Sequence, residues 1–173
     1  MIEVANYSAI ERLRTGREVE IRALHAEDCA ELLAAFERLS EQTIYRRFFG
    51  AKRVLTGEEI SFFVNVDFAS HVALVAVFEE NGRTAIVGGA RYVVTVPGQA
   101  ELAFAVIDQY QGQGIGRALM RHLVAIARGA GLCKLIAEVL PDNLAMLKVF
   151  ASSGLCLRVS RQNQTVHISL QLL

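Results

Sequence analysis

Residues Gln111, Gly112, Gln113, Gly114, Ile115 and Gly116 place three glycines and two glutamines in six positions. They follow an apolar run, Leu102 to Ile107, that reads as a strand, and they precede Arg117 to Arg128, which reads as an amphipathic helix. A glycine-dense turn between strand and helix leaves backbone N–H groups uncovered and aims them at one spot. The start of the helix adds its own unpaired N–H groups and the positive end of its dipole, so the chemistry that suits this stretch is phosphate binding. A P-loop would need Gly-Lys-Ser/Thr at its end, where this chain has Gly116-Arg117-Ala118, so that reading fails. A dinucleotide fingerprint would need a glycine where Arg117 stands, and the first strand of a βαβ unit where a hairpin pair stands instead. Glu138 could stand in for its ribose-binding acid, which keeps that reading open. A coenzyme A pyrophosphate loop, Gln/Arg-x-x-Gly-x-Gly/Ala, is matched without a gap by Gln111, Gly114 and Gly116. A glycine-rich turn that holds no ligand is the remaining alternative.

The elements that must position this loop can be read from periodicity and turn residues. Strands are predicted over Glu18 to Ala23, His71 to Phe78, Thr84 to Thr95, Ala100 to Ile107, Leu132 to Leu140, Leu155 to Ser160 and Thr165 to Leu172. Asn81-Gly82 and Pro97-Gly98 mark turns, and Gly88-Gly89 marks a bulge or a close backbone approach. Helical spacing runs from Ala26 to Leu39 and from Glu41 to Phe49. Thr56 and Glu59 form a capping box that opens a short helix to about Asn65, and a last helix runs from Asn143 toward Gly154. The fold class expected is α/β: one domain spanning 1–173, with 1–17 as an N-terminal extension, and a mixed, mostly antiparallel sheet of about seven strands flanked by about four helices.

The totals narrow the partners. The chain has 173 residues, 53% hydrophobic, which suits one domain with a full core. Lys+Arg and Asp+Glu balance at 18 each, so no global field draws the protein to nucleic acid or to an anionic membrane. Arginines among aromatics at Tyr45 to Phe49 could stack on bases, but the pairs Ile44/Phe48 and Tyr45/Phe49 sit one helical turn apart, as in a packed short helix. No apolar run is long enough to span a bilayer, and charges fill Met1 to Glu20 where a signal peptide would be apolar, so a cytoplasmic location is expected. Cys29, Cys133 and Cys156 are expected to be reduced thiols buried as small hydrophobes. His25, His71, His122 and His167 lie apart without ligand spacing, and no metal is assigned.

With these residues in view, the chain resembles the GNAT superfamily of acyl-CoA-dependent N-acyltransferases over nearly its whole length. Glu101 to Arg117 is similar to that family's strand-loop-helix core, and Asn143-Leu144-Ala145-Met146 through Phe150 to Gly154-Leu155 is similar to its following helix. More narrowly, Ile44 to Phe49, Asn65-Val66-Asp67 before Val72 to Val77, and Glu101 to Phe104 resemble the bacterial Pat-type protein lysine acetyltransferase domain. The resemblance implies acetyl-CoA as co-substrate. Backbone groups around Phe104, Ala105 and Val106 would pair with its pantetheine arm. N–H groups from Gly112 through Gln113, Gly114, Ile115 and Gly116 to Arg117 would hold its pyrophosphate. Arg117 or Arg121 could reach a further phosphate, and Asn143 could bond the pantetheine amides while also capping its own helix. Phe150 would line the same site. The resemblance further implies a protein lysine acceptor, such as an acyl-CoA synthetase, with Arg46 or Arg47 bordering the acceptor. The regulatory domains fused in some relatives are not expected within these 173 residues.

The reaction class sets its own demands. An amine attacking a thioester must be neutral, and a lysine amine with a pKa of about 10.4 is mostly charged at pH 7. A nearby carboxylate can take that proton. Glu101, at the start of an apolar strand where partial burial would raise its proton affinity, is the candidate base, and the resemblance puts the family's catalytic glutamate there; a surface glutamate on an edge strand is the alternative. Glu79 and Glu80 flank a turn and read as solvated. Where many family members carry a tyrosine that protonates the leaving thiolate, this chain has Phe150. Tyr110, Ser152 or Ser153 could substitute, or the thiolate could leave without an acid. Cys133 and Cys156 are expected to be too buried to carry an acyl group. Two rival functions stand beside this one: a small-molecule amine acetyltransferase, and a coenzyme A-binding sensor without catalysis.

Overall fold

Eight strands in the order β1-β2-β3-β4-β5-β6-β8-β7 make one sheet in the computed structural model, which describes residues 3–173. The strands are β1 (Ser8–Arg12), β2 (Glu18–Ala23), β3 (His71–Glu80), β4 (Arg83–Val96), β5 (Gln99–Val106), β6 (Lys134–Val139), β7 (Cys156–Gln162) and β8 (Thr165–Gln171). The helices are α1 (Cys29–Glu37), α2 (Glu41–Phe48), α3 (Gly57–Val64), α4 (Ile115–Gly129) and α5 (Leu144–Ala151). Every neighbouring pair is antiparallel except β5–β6. The α/β class and mostly antiparallel sheet stand as expected, with one strand and one helix more than the approximate count. The added strand is β1, inside the stretch read as an extension; residues 1 and 2 of that stretch lie outside the described residues. Its alternation of exposed and half-buried positions is too weak to read from sequence, because only one of its faces is covered.

The core lies between the sheet and α4. Leu119, Leu123 and Ala127 project from one stripe of α4 onto Leu74, Ala76, Tyr92, Leu102 and Phe104. On the opposite face, α1 packs over Ala73, Val75, Val77 and Ile86. Because both faces of β3 are covered, His71 to Phe78 is buried without alternation. The β3–β4 ladder shifts register between Ala76 and Val77, where Val87 is left without a partner next to the Gly88-Gly89 pair. A Cβ on Gly88 would lie 3.2 Å from the Ala105 carbonyl oxygen, and one on Gly89 would lie 3.2 Å from that of Leu74, so both a bulge and a close approach occur there.

Three polar clusters lock the periphery. The Tyr7 hydroxyl bonds His122 Nδ1, and His122 Nε2 lies 2.7 Å from Glu11 Oε1, clamping β1 to α4. Arg22 grips Asp28 with two bonds of 2.7 and 2.9 Å, holding the start of α1 against β2. Asp67 accepts the Ser70 hydroxyl at 2.6 Å and the backbone N–H groups of Ala69, His71 and Ser70, which together hold its carboxyl down at about 2, the hydroxyl foremost. His71, beside it, is pulled down to about 4, chiefly by burial and then by the Arg91 charge. Between pH 6.5 and 4 the unfolded chain therefore takes up a proton that the folded chain refuses, so stability falls as the pH drops through that window and is unaffected above it. Allowing for partial solvation, the loss is on the order of 2 kcal/mol. Thermal melts across that range should show it in the wild type, and a much shallower slope in His71→Gln; equal slopes would assign the acid sensitivity elsewhere.

The cysteine expectation is corrected. Cys29 is half-buried, while Cys133 and Cys156 are exposed free thiols. Cys133 lies in the connection before β6. Cys156 opens β7, the outermost strand, whose exposed face no helix covers. No helix among the described residues is long and apolar enough to cross a membrane.

Candidate active site

The loop Gln111–Gly114 joins a 3-10 turn, Asp108–Tyr110, to α4. Gly112 at φ 77° and Gly114 at φ 98° occupy the left-handed region that glycine adopts without strain. Gly114 is also the N-cap of α4 and supplies no side-chain cap. The first helical bond runs from Ala118 N to Gly114 O at 3.0 Å, so the N–H groups of Ile115, Gly116 and Arg117 have no partner within the helix. Gly116 allows α4 to approach α5: a Cβ there would touch Val149 Cγ2 at 3.4 Å. Asp108 anchors the assembly, accepting from Ser40 N at 2.9 Å, Ser40 Oγ at 2.7 Å and Thr43 Oγ1, which ties α2 to the loop. Gln111 proves to be a brace: its Nε2 donates to the Val106 carbonyl at 2.9 Å and to Thr43 Oγ1 at 3.2 Å. The Gln113 side chain turns back to the Gln109 carbonyl and does not line the site.

Above the uncapped helix start opens a cleft of about 340 Å³. Phe104, Ala105, Val106, Gln111, Gly112, Gly114, Ile115, Gly116, Arg117 and Asn143 all line it. Five cationic side chains face it, Arg14, Arg46, Arg47, Arg117 and Lys148, and no Asp or Glu among the described residues does. In a chain of zero net charge that segregation makes the cleft a local anion site. Arg14 and Lys148 come from the β1–β2 turn and from α5, and the sequence carries no signal for either, since their meeting depends on chain crossings far apart in number. Arg121 is directed elsewhere and pairs with Glu11 at 3.0 Å. Asn143 accepts from Met146 N at 3.3 Å, so its capping role is realised at the cleft wall.

A second space adjoins the cleft. The β5–β6 ladder has three rungs, ending at Glu101↔Ile136, although β5 continues to Val106 and β6 to Val139. Beyond that rung the strands part, leaving a wedge of about 80 Å³ lined by Glu101, Phe104, Glu138, Asn143 and Phe150 among others. The unpaired edge of β5 in the wedge offers backbone groups that an extended ligand arm could use as a further strand. The expectation that Glu101 is partly buried is corrected: it is exposed, standing where β5 and β6 part and the wedge opens to solvent. Glu138, weighed in the sequence only as a ribose ligand, stands in the same wedge. His167 Nδ1 lies 2.5 Å from its Oε1 and Thr165 donates to its Oε2 at 2.9 Å.

The chain that carries this cleft and wedge is similar to known proteins. The Acetyltransferase (GNAT) family model matches residues 31–155. The chain belongs to the GNAT acetyltransferase family. It is 33% identical over 146 residues to Acetyltransferase PA5475 of Pseudomonas aeruginosa, covering 84% of this chain and 78% of that one. It is 34% identical over 145 residues to Acetyltransferase Pat of Mycolicibacterium smegmatis, covering 83% of this chain but only 43% of the relative, so it spans less than half of that protein. The crystal structure of the GNAT domain of S. lividans PAT superposes with a TM-score of 0.86 at 31% identity, covering 95% of this chain and 96% of that one. The structure of yncA from Salmonella typhimurium with its cofactor acetyl-CoA shares the fold, with a TM-score of 0.70 at 22% identity over 89% and 94% of the two chains.

The position where the resemblance led to an expected tyrosine is occupied by a phenylalanine. That residue, Phe150, is buried and edge-on to Phe104 with centroids 5.9 Å apart. The substitutes considered from sequence have their hydroxyls engaged. Tyr110 donates to Glu80, Ser152 to the Lys148 carbonyl at 2.8 Å, and Ser153 to the Phe150 carbonyl at 2.7 Å. Among the described residues no group of three or more His, Cys, Asp or Glu side chains is arranged to hold a metal ion.

Proposed function

We propose that this GNAT domain transfers an acetyl group from acetyl-CoA to a lysine ε-amine on a protein, with Glu101 as general base. The observation that carries the reading is the cleft: five cations and no carboxylate around an uncapped helix start, joined through Arg47, Phe104, Asn143 and Met146 to the wedge where Glu101 is exposed. In that reading the N–H groups at the start of α4, with Arg14, Arg117 and Lys148, hold the phosphates of the coenzyme, which supplies the activated acyl group when bound. The free edge of β5 holds the arm. Glu101 accepts the ammonium proton through water, leaving a neutral amine to attack. The thiolate, whose parent thiol has a pKa of about 8.5, leaves without a side-chain acid. The likeness to Pat proteins supports the protein acceptor, such as an acyl-CoA synthetase, and unpaired cysteines fit a cytoplasmic setting.

The test is thiol release from acetyl-CoA with candidate proteins and with small amines, followed by mass spectrometry of the products. Acetyl-lysine on a protein acceptor is the expected result. Release with small amines alone would replace the acceptor class. Tight acetyl-CoA binding without release for any amine would make the domain a sensor.

A further inference from the structure

A third cavity, about 100 Å³, opens under α1, α2 and α3 on the sheet face that also carries Glu101. Its floor is Gly88, Gly89, Ala103 and Ala105, positions whose small size leaves the room, and Phe36, Phe48 and Phe63 wall it. Into this apolar space come two guanidinium groups. Arg91, opposite Ala103 in the β4–β5 ladder, donates to the Phe63 carbonyl at 3.1 Å and to neutral His71 Nε2 at 2.9 Å, with its Cζ 4.7 Å from the Phe63 centroid. Arg47, from α2, has its Cζ 4.9 Å from the Phe48 centroid and 5.8 Å from that of Phe63. Neither has an ion-pair partner among the described residues, and Arg47 makes no hydrogen bond there at all. In contrast Arg12, Arg22, Arg38, Arg46 and Arg121 each face a carboxylate.

Two like charges beside one phenylalanine ring, in a pocket with no Asp or Glu among its described lining, are costly to hold. Arg47 feels the Glu101 carboxylate from the adjoining wedge, whereas Arg91 has no such counter-charge and is left for an outside anion to complete. Burial and, second, the Arg47 charge pull Arg91 down to about 9, which leaves it charged at pH 7. The pocket is not isolated. Arg47 and Phe104 line it, the Glu101 wedge and the coenzyme cleft alike, so an anion seated between the arginines lies at the junction of all three. A space of about 100 Å³ holds roughly three water volumes, enough for a carboxylate and its nearest carbons.

We infer that Arg47 and Arg91 form a carboxylate-binding subsite for the acceptor, seating an acidic group a few bonds from the amine that is acetylated. The acceptor is thus an amine paired with a carboxylate, in a free amino-carboxylate or in a polypeptide whose acceptor lysine adjoins Asp or Glu. Guanidinium is suited to this role because its planar fork matches a carboxylate with two parallel bonds. The inference rests on the acetyl-transfer reading above.

Two matched acceptor pairs test it: lysine against cadaverine, and acetyl-Gly-Lys-Glu-amide against acetyl-Gly-Lys-Gln-amide, each assayed by thiol release from acetyl-CoA. In the wild type the carboxylate-bearing member of at least one pair should be favoured by about tenfold or more in kcat/KM, a difference of about 1.4 kcal/mol. The pair that shows the preference identifies the source of the carboxylate. Arg91→Gln removes the charge while leaving a shorter polar side chain, and it should bring that ratio to within about twofold of unity, with Arg91→Lys restoring part of it. Arg47→Gln, which loses no intramolecular hydrogen bond, serves if Arg91→Gln does not fold. Equal kcat/KM values within both wild-type pairs, or a ratio unmoved by Arg91→Gln, would overturn the inference. Should no acceptor release thiol although acetyl-CoA binds, the transfer reading fails by itself. Glutarate then decides the subsite: a melting-temperature rise in the wild type that is lost in Arg91→Gln supports it, and no rise in the wild type refutes it.

Discussion

Replacing Glu101 with glutamine is expected to lower kcat at neutral pH by about 10²–10⁴-fold while leaving the acetyl-CoA dissociation constant within about twofold. The first half follows from proton accounting. A lysine ammonium must lose its proton before attack, and glutamine, nearly the same shape as glutamate, cannot take it. The rate loss corresponds to about 3–5 kcal/mol of transition-state free energy. The second half follows from position: Glu101 lines the wedge but not the cleft that receives the phosphates. Raising the pH should recover much of the loss, because the neutral fraction of the amine grows about tenfold per pH unit until its own pKa is reached. Glu138 is the comparison. Both of its oxygens are engaged, by His167 and Thr165, so Glu138→Gln should cost less than Glu101→Gln. Unchanged turnover in Glu101→Gln, with a large loss in Glu138→Gln, would move the base to β6.

Gly114→Val should weaken acetyl-CoA binding by about 10–100-fold, measured by calorimetry. The reason lies in the backbone. Gly114 sits at φ 98°, where a β-branched residue is strained by about 1–3 kcal/mol, so the loop must turn and redirect the N–H groups at the start of α4. A Cβ there would have only Leu13 Cδ2 for company, at 4.0 Å, so protein atoms would not be crowded by the change. Gly82→Val is the control: it carries a similar strain at φ 77° in the β3–β4 turn, far from the cleft in the fold, and should lower stability without altering coenzyme affinity. Equal affinity loss in both variants would mean that destabilisation, not loop geometry, is being measured. Wild-type affinity in Gly114→Val would disconnect the loop from the coenzyme.

Local signals were strong wherever one stretch of chain decides its own structure. The Thr56–Glu59 capping box forms as spaced, with Glu59 N donating to Thr56 Oγ1 at 3.1 Å and Thr56 N to Glu59 Oε1 at 3.2 Å. Strand β2 spans Glu18–Ala23, the very range its alternation predicts. Signals failed where neighbours distant in the chain decide. Cys133 and Cys156 sit in apolar stretches, yet no helix covers them, and an apolar stretch does not reveal which of its faces is roofed. Glu101 begins an apolar strand and is exposed because the β5–β6 ladder ends at its rung, which only the strand pairing decides.

The glycine loop, its strand and its helix were determined by sequence alone, since turn chemistry, capping and hydrophobic period act over a few residues. Which charges surround that loop, and which acid stands near the place where β5 and β6 part, were decided only by tertiary structure. Arg14, Arg47 and Lys148 are far apart in the chain, and Arg47 meets Arg91 across an aromatic ring. Electrostatic energy depends on distance through space, and no local pattern encodes the chain crossings that set those distances.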